Sequence, residues 1–294
     1  MTHLAVHRDV IPSVRTRASA ELVALVALVC VAFVGCGASS RSTRRDPRSG
    51  PVDRIEMEEV RISAARSSDG VSFETYDAQS LFERGNRELQ AGRCESAITH
   101  FERIGREFGS SRFLSPALYN FAHCLERLGR LDDAVERFRE LVRRVPRSRD
   151  VRDALFRIAS LEERRQRWES LLGVTDQVLA IDELPSADRL EALSRRATAL
   201  LGLRRLDDAE RQARDATQFF RMRSEFDPIP DDTFVAQAQF TIAETWRLRA
   251  EGIVLPPGTA QQQHEALEAR SRAILMAQTE YFNTIRVTNP EWSA

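Results

Sequence analysis

The side chains that could carry out nucleophilic or acid–base chemistry in this sequence are few. The chain contains no lysine, so all 43 basic residues are arginine, and catalysis by a lysine amine is excluded. His123 and Cys124 are neighbours, but adjacent residues on a helix point about 100° apart, so they do not form a catalytic dyad. The acidic pairs Asp132–Asp133 and Glu162–Glu163 hold the carboxylates that a glycoside hydrolase uses. On a helical chain such pairs are more typical of helix starts and solvated faces.

The sequence also lacks the spacings of metal and phosphate sites. Downstream of residue 36 the histidines are His100, His123 and His264, and none stands at a metal-ligand spacing from another histidine or cysteine. A glycine-rich phosphate loop and a Gly-x-Ser-x-Gly element are absent. The formal net charge of -1 disfavours nucleic-acid binding, which needs excess positive charge. We predict no catalytic residue, metal, cofactor, small-molecule substrate or nucleic-acid partner. A hydrolase of cell-wall glycan that uses an acidic pair is the alternative.

The N-terminal segment predicts chemistry of another kind, at Cys36. Arginines at positions 8, 15 and 17 precede an apolar run over residues 22–34, which is well short of the roughly 20 residues that span a bilayer. This pattern is typical of a signal peptide. The sequence Phe33-Val34-Gly35-Cys36 resembles a bacterial lipobox, although the lipobox usually has leucine where Phe33 stands. The resemblance implies cleavage after residue 35 and lipid on Cys36. A permanent short anchor and an ordinary cleaved signal peptide are the alternatives.

Residues 36–76 are predicted to form a flexible linker behind the lipid anchor. Most of the segment is polar and interrupted by glycine and proline, so it buries too little apolar surface to offset the entropy of ordering. Residues 52–62 contain scattered apolar side chains that would suit a short strand or a docking peptide. Their spacing matches neither the helix period nor the strand period.

From residue 77 onward the apolar residues recur with a helical period, and the whole pattern repeats. Ala97, Ala134, Leu171 and Ala209 stand at corresponding places, at intervals of 37, 37 and 38 residues. Small residues alternate with large apolar ones such as Phe101 and Phe138, as expected where paired helices cross closely. Gly92 and Gly129 follow predicted first helices, where a left-handed cap residue is favoured.

This pattern resembles the tetratricopeptide repeat, a helix–turn–helix unit of about 34 residues. The resemblance implies an all-α solenoid of antiparallel helix pairs over residues 77–294, preceded by the signal peptide (1–35) and the linker (36–76). The implied units are 77–113, 114–150, 151–188, 189–226 and 232–294.

Together with the lipobox, the repeats are similar to those of bacterial periplasmic tetratricopeptide lipoproteins, such as the barrel-assembly lipoprotein and the repeat protein associated with Tol–Pal. The resemblance implies a scaffold that binds envelope proteins or peptides, in outer-membrane assembly or division. It implies attachment to the periplasmic side of the envelope, and Gly37 favours the outer membrane. A passive spacer is a further alternative. The repeat's groove-facing positions correspond to Phe82, Asn86, Tyr119, His123, Arg127, Phe156 and Arg164.

Cys94 and Cys124 are predicted to lie at the same end of two adjacent antiparallel helices. An oxidising periplasm would permit a disulfide between them, provided that their Cα atoms come within about 7 Å. Two buried free thiols are the favoured alternative.

Overall fold

The computed structural model describes residues 59–67, 70–223 and 232–288. These segments contain one β-hairpin, β1 Val60–Ser67 and β2 Gly70–Asp77, followed by ten helices. The helices are α1 Ala78–Gln90, α2 Cys94–Glu107, α3 Leu114–Arg127, α4 Leu131–Arg144, α5 Asp150–Arg164, α6 Trp168–Leu179, α7 Ser186–Gly202, α8 Leu206–Arg223, α9 Thr233–Gly252 and α10 Ala260–Thr288. In the described segments no helix combines the length and apolarity needed to cross a bilayer. The predicted signal peptide, Cys36 and residues 37–58 lie outside the described residues.

Consecutive helices form five pairs, which we number as units 1 to 5. The first helices are α1, α3, α5, α7 and α9, and the second helices are α2, α4, α6, α8 and α10. Each helix packs against the next along the chain, and each first helix also contacts the first helix of the following unit. The predicted all-α repeat solenoid is confirmed.

The turns between first and second helices repeat the same hydrogen bonds in units 1 to 4. In unit 1 the Gly92 N–H donates to the Leu89 carbonyl, and the Arg93 N–H donates to the Glu88 carbonyl. These two backbone hydrogen bonds end the first helix at a residue in the left-handed conformation. That residue is Gly92 (φ 76°), Gly129 (φ 75°), Gln166 (φ 55°) and Arg204 (φ 59°) in the four units. The cap position predicted at Gly92 and Gly129 is confirmed, and two units fill it with a residue other than glycine.

The core follows the repeated residues that the sequence aligns. The aligned positions of the second helices are all 0% exposed: Ala97, Ala134, Leu171 and Ala209. Small residues of the facing first helices are equally buried, namely Ala122, Ala159 and Ala197. Phe101 and Phe138, also 0% exposed, fill the space beside them. Close helix crossing therefore depends on alternating small and large side chains, because protein interiors tolerate few voids.

The β-hairpin corrects the prediction of a flexible linker for residues 60–76. The strands pair antiparallel from Val60 opposite Asp77 to Ser67 opposite Gly70. Tyr76 on one face is buried and meets the Phe108 ring edge to face at 6.0 Å. The other face exposes large apolar side chains, including Phe73. The alternation of apolar and polar residues along β2 is the strand period, which the generally polar composition of the segment obscured.

Candidate partner-binding groove

The first helices together form one continuous surface, which we call the first-helix surface. Side-chain hydrogen bonds cross it from unit to unit: Asn120 donates to Asn86 at 2.8 Å. Gln237 of α9 donates both to Thr198 of α7 at 3.2 Å and to Glu163 of α5 at 2.7 Å. These bonds hold neighbouring first helices in register. The groove predicted from the sequence lies on this surface, on the first helices of units 1 to 3.

The predicted groove residues all lie on the first helices α1, α3 and α5. Phe82, Asn86, Tyr119, His123 and Phe156 are half-buried, whereas Arg127 and Arg164 are exposed. The Phe82 ring packs 6.0 Å from Phe101 and 5.3 Å from Phe113, and the Tyr119 ring meets Phe138 edge to face at 5.3 Å. Several of these aromatic rings therefore support the helix crossing as well as the groove wall.

A group of three arginines marks the groove of units 2 and 3. Arg127 extends from α3, and its guanidinium reaches the Leu89 carbonyl at 3.4 Å. Arg157 and Arg164 extend from α5, and both lie near Glu126, at 3.9 Å and 3.8 Å. One oxygen of the Glu126 carboxylate is buried without a hydrogen-bond partner. This part of the groove therefore has more positive than negative charge and one incompletely satisfied acceptor.

Arg157 is the groove residue that the sequence analysis missed. The pKa of Arg157 is raised, mainly by a hydrogen bond with Tyr119. Burial, followed by the charge of Arg157, lowers the pKa of His123, so His123 is neutral near pH 7. The seven-residue separation of Arg157 and Arg164 on one helix is the signal that could have revealed it.

Further along the first-helix surface, Arg195 of α7 is paired with acidic side chains. Arg195 forms ion pairs with Glu163 and with Glu191 at 2.9 Å, and its guanidinium lies 5.4 Å from the centre of the Phe234 ring. Burial raises the pKa of Glu191, although Arg195 opposes the effect. The excess of arginine over acidic side chains therefore lies around Glu126, in units 2 and 3.

The acidic pairs do not form a converging site. Glu162, at 2% exposure, accepts hydrogen bonds from Arg139 at 2.7 Å, Ser170 at 2.7 Å and Arg165 at 3.0 Å. Glu163 instead bonds to the first helices. The interpretation of this pair as a solvated face is wrong for Glu162, because its carboxylate is buried. The sequence alone did not reveal its partner Arg139, which lies 23 residues away in the chain. Among the described residues no group of three or more histidine, cysteine, aspartate or glutamate side chains could hold a metal ion.

Cys94 and Cys124 are buried and present as free thiols. Burial, followed by a hydrogen bond with Cys94, raises the pKa of Cys124 to about 12. The two thiols therefore meet at the interface of α2 and α3. A disulfide between them stays a prediction.

A family model of the tetratricopeptide repeat matches residues 116–148, which lie across α3 and α4. No curated protein matches the sequence. Among solved structures, MamA (residues 41 to the end) from Desulfovibrio magneticus RS-1 shows 15% identity and a TM-score of 0.44, with 73% of this chain and 98% of that chain covered. YrrB, described as a TPR protein with an unusual peptide-binding site, shows 15% identity and a TM-score of 0.44, with 69% and 91% covered. The chain thus contains a tetratricopeptide repeat within a solenoid of helix pairs.

Proposed function

We propose that this protein is a non-catalytic scaffold that binds a protein or peptide segment in the groove of units 1 to 3. The observation that carries the proposal is the arrangement of Tyr119 and Phe156 beside Arg127, Arg157 and Arg164. Aromatic and arginine side chains are the ones that contribute most to binding energy at protein interfaces. The arginines favour a segment with acidic side chains, since a guanidinium binds a carboxylate through two parallel hydrogen bonds.

The groove suits an extended segment better than a small molecule. Its side chains are distributed over three first helices, and the bond between Asn86 and Asn120 holds two of these helices in fixed register. A rigid surface of this kind binds with little cost of ordering its own side chains. The partner would supply apolar side chains to the rings and carboxylates to the arginines.

Copurification of partner proteins with the intact protein and with a groove variant tests this function. The protein is crosslinked in cells and purified, and copurifying proteins are compared with those of the Tyr119→Ala, Phe156→Ala double variant. We expect a specific partner to be lost while the circular-dichroism spectrum is retained. A matched control replaces Phe73 and Phe282, which are exposed outside the groove, by alanine and should retain the partner. Equal recovery from both double variants would contradict a groove-based function and favour a passive spacer.

We further propose that the scaffold is exported and held at the periplasmic side of the bacterial envelope by lipid on Cys36, with envelope proteins as its partners. The support is the basic segment, the short apolar run and the lipobox-like residues 33–36. Several acyl chains give stable membrane attachment, at about 0.8 kcal/mol for each buried methylene. Roles in outer-membrane assembly or in division are consistent with such a location.

Metabolic labelling with an alkyne analogue of palmitate tests the anchor. The intact protein should incorporate the label, and Cys36→Ser should abolish it. Cys30→Ser is the matched control, since Cys30 lies in the segment that cleavage would remove, and it should retain the label. Labelling that persists in Cys36→Ser would contradict the proposal. A Gly37→Asp change should shift the protein from the outer to the inner membrane fraction, and an unchanged fraction would contradict the outer-membrane assignment.

A further inference from the structure

Exposed apolar side chains are distributed unevenly along the helices. Helices α1 to α7, all of whose residues the structure describes, expose no large apolar side chain. The last helix, α10, exposes several, including Leu267 (47%), Ile274 (42%), Leu275 (61%) and Phe282 (56%). An end helix of a repeat array normally has a polar outer face, and clustered apolar exposure marks a surface that binds a partner.

The position of α10 explains why one of its sides is open. Each of the earlier second helices packs against the first helix of its own unit and against the first helix of the next unit. α10 packs against α9 of its own unit, and Ala273 and Ala277 are buried. Within the described residues no further first helix follows α10, so a second helical neighbour would have to come from another molecule.

Leu267, Ile274, Leu275 and Phe282 form one stripe, which we call the α10 stripe. They fall within an arc of about 100° on the helix surface, on a different side from the two buried alanines. Leu267 and Ile274 are seven residues apart, and so are Leu275 and Phe282. Apolar residues at seven-residue spacing are typical of a helix that packs alongside another helix. The α10 stripe therefore suits an apolar helix as its partner.

The spacing of the α10 stripe is the same in both directions along the helix, with intervals of seven, one and seven residues. Two copies of α10 can therefore lie antiparallel about a two-fold axis between Ile274 and Leu275. Leu267 of one copy then lies opposite Phe282 of the other, and Ile274 lies opposite Leu275. A two-fold contact requires a surface that is complementary to itself, and the α10 stripe meets this requirement.

The same axis also brings two polar side chains together. Ser271 and Gln278 lie within the arc of the α10 stripe, and both are exposed. In the antiparallel arrangement Ser271 of one copy lies opposite Gln278 of the other, where the hydroxyl and the amide can form a hydrogen bond. A polar pair within an apolar helix contact favours one register and one orientation.

We propose that the α10 stripe is a self-association surface, through which two copies of this chain form an antiparallel two-fold dimer. The contact is closed, because each copy uses the same surface. Leu267 and Phe282 are about 22 Å apart along the helix, so the contact is smaller than a permanent interface and the dimer is reversible. The inference does not rest on the proposed function of the groove, which lies on α1, α3 and α5.

Disulfide crosslinking tests the antiparallel arrangement. Two differently tagged copies of the full-length protein, each with Cys30→Ser, are expressed together, and the membranes are oxidised with copper phenanthroline in air. Leu267→Cys in one copy and Phe282→Cys in the other should give at least about tenfold more linked dimer than either change in both copies, because a disulfide needs Cα atoms within about 7 Å.

The opposite results are equally clear. A linked dimer from Leu267→Cys in both copies would demonstrate parallel helices, because these positions are about 22 Å apart in the antiparallel dimer. No linked dimer from the mixed pair, or a linked product with a different protein in its place, would show that the α10 stripe does not bind a second copy. Each of these results would overturn the proposal.

Met276 provides a matched control for the stripe. It is the neighbour of Leu275 and is also a large, exposed apolar residue, but it points about 100° further from the α10 stripe. Leu275→Cys in both copies should link, because Leu275 lies beside the two-fold axis, and Met276→Cys should not. Equal linking at the two positions would indicate random collision and would overturn the proposal.

An added charge tests the energy of the contact. Leu275→Glu in both copies brings two like charges together beside the axis and should lower the yield of the mixed-pair dimer at least about tenfold. Met276→Glu adds the same charge outside the stripe and should change the yield by less than about twofold. Both variants should retain the circular-dichroism spectrum, because both residues are exposed. Equal yields from the two glutamate variants would overturn the proposal.

A groove variant separates this surface from the proposed function. Tyr119→Ala with Phe156→Ala should leave the yield of the mixed-pair dimer unchanged, because those residues lie in units 2 and 3. Loss of the dimer in that variant would place the second copy in the groove and would overturn the assignment to α10.

Discussion

Gly85 of α1 lies so close to the ring of Phe101 of α2 that a Cβ atom added to the glycine would stand 2.5 Å from Phe101 Cε1. Gly202 of α7 has the same relationship to the Trp168 ring of α6. In both places a glycine of a first helix packs directly against an aromatic ring of a second helix. Close packing of the repeats thus depends on the absence of a single methyl group.

Gly85→Ala should therefore destabilise the protein although alanine is the better helix former. The ring of Phe101 is 0% exposed and also packs against Phe82, so an added methyl group would have to displace it, and we expect a loss of about 1–3 kcal/mol from overpacking. Gly173→Ala is the matched control, because an added Cβ there meets nothing within 4 Å. That change should gain about 0.5–1 kcal/mol from helix propensity. Urea unfolding measures both, and a gain from Gly85→Ala would contradict the packing.

Gln166→Gly should stabilise the turn between α5 and α6. Gln166 has a φ of 55° at the position where units 1 and 2 have glycine, and a side chain in this conformation costs about 1–2 kcal/mol. We expect a gain of up to about 1 kcal/mol in the free energy of unfolding. The reciprocal change Gly129→Gln, at a φ of 75°, should lose a similar amount. If both substitutions raised, or both lowered, the free energy of unfolding, the two turns would not be equivalent.

Glu162→Gln should weaken the junction between units 2 and 3. The carboxylate of Glu162 accepts from two arginines and one serine while 2% exposed. The amide cannot satisfy both arginines, so we expect a loss of about 1.5–3 kcal/mol, the contribution of hydrogen bonds to a charged group. Glu169→Gln, an exposed position on α6, is the control and should change stability by less than about 0.5 kcal/mol. Thermal unfolding by differential scanning calorimetry compares the two, and equal effects would contradict the buried role of Glu162.

The sequence was sufficient to predict the helical units but not their polar connections. Spacing alone aligns Ala97, Ala134 and Ala209, since side chains three and four residues apart share a helix face. Glu162 could not be recognised as buried, because its partner Arg139 is 23 residues away in the chain and belongs to another unit. The hairpin was missed because its buried anchor, Tyr76, packs on Phe108, which is even more distant in the sequence.

The same reasoning applies to the candidate sites. The groove positions on α1, α3 and α5 follow from the repeat, so they could be assigned by counting residues. The contact between Gln237 of α9 and Glu163 of α5 could not be assigned in this way, because the two residues are 74 positions apart in the chain.

The thiols of Cys94 and Cys124 should be unreactive in the native protein at about pH 8. Burial and their mutual contact raise the pKa of Cys124 to about 12, and the thiolate is the reactive form. Peptide mapping after treatment with iodoacetamide should show no label on either residue before denaturation. Both should be labelled after denaturation without reductant. Label that appears only after a reductant is added would demonstrate a disulfide and contradict the free thiols.

Photocrosslinking from the groove tests the central claim most directly. A benzoylphenylalanine replaces His123, in the groove of unit 2, and in a second variant replaces Glu136, an exposed residue of the second helix α4. After irradiation of living cells, we expect position 123 to give a discrete higher-mass product that contains a partner protein and position 136 to give none. Addition of Arg157→Glu should remove the product from position 123. A product from position 136 alone, or one at 123 that persists with Arg157→Glu, would contradict partner binding by the groove.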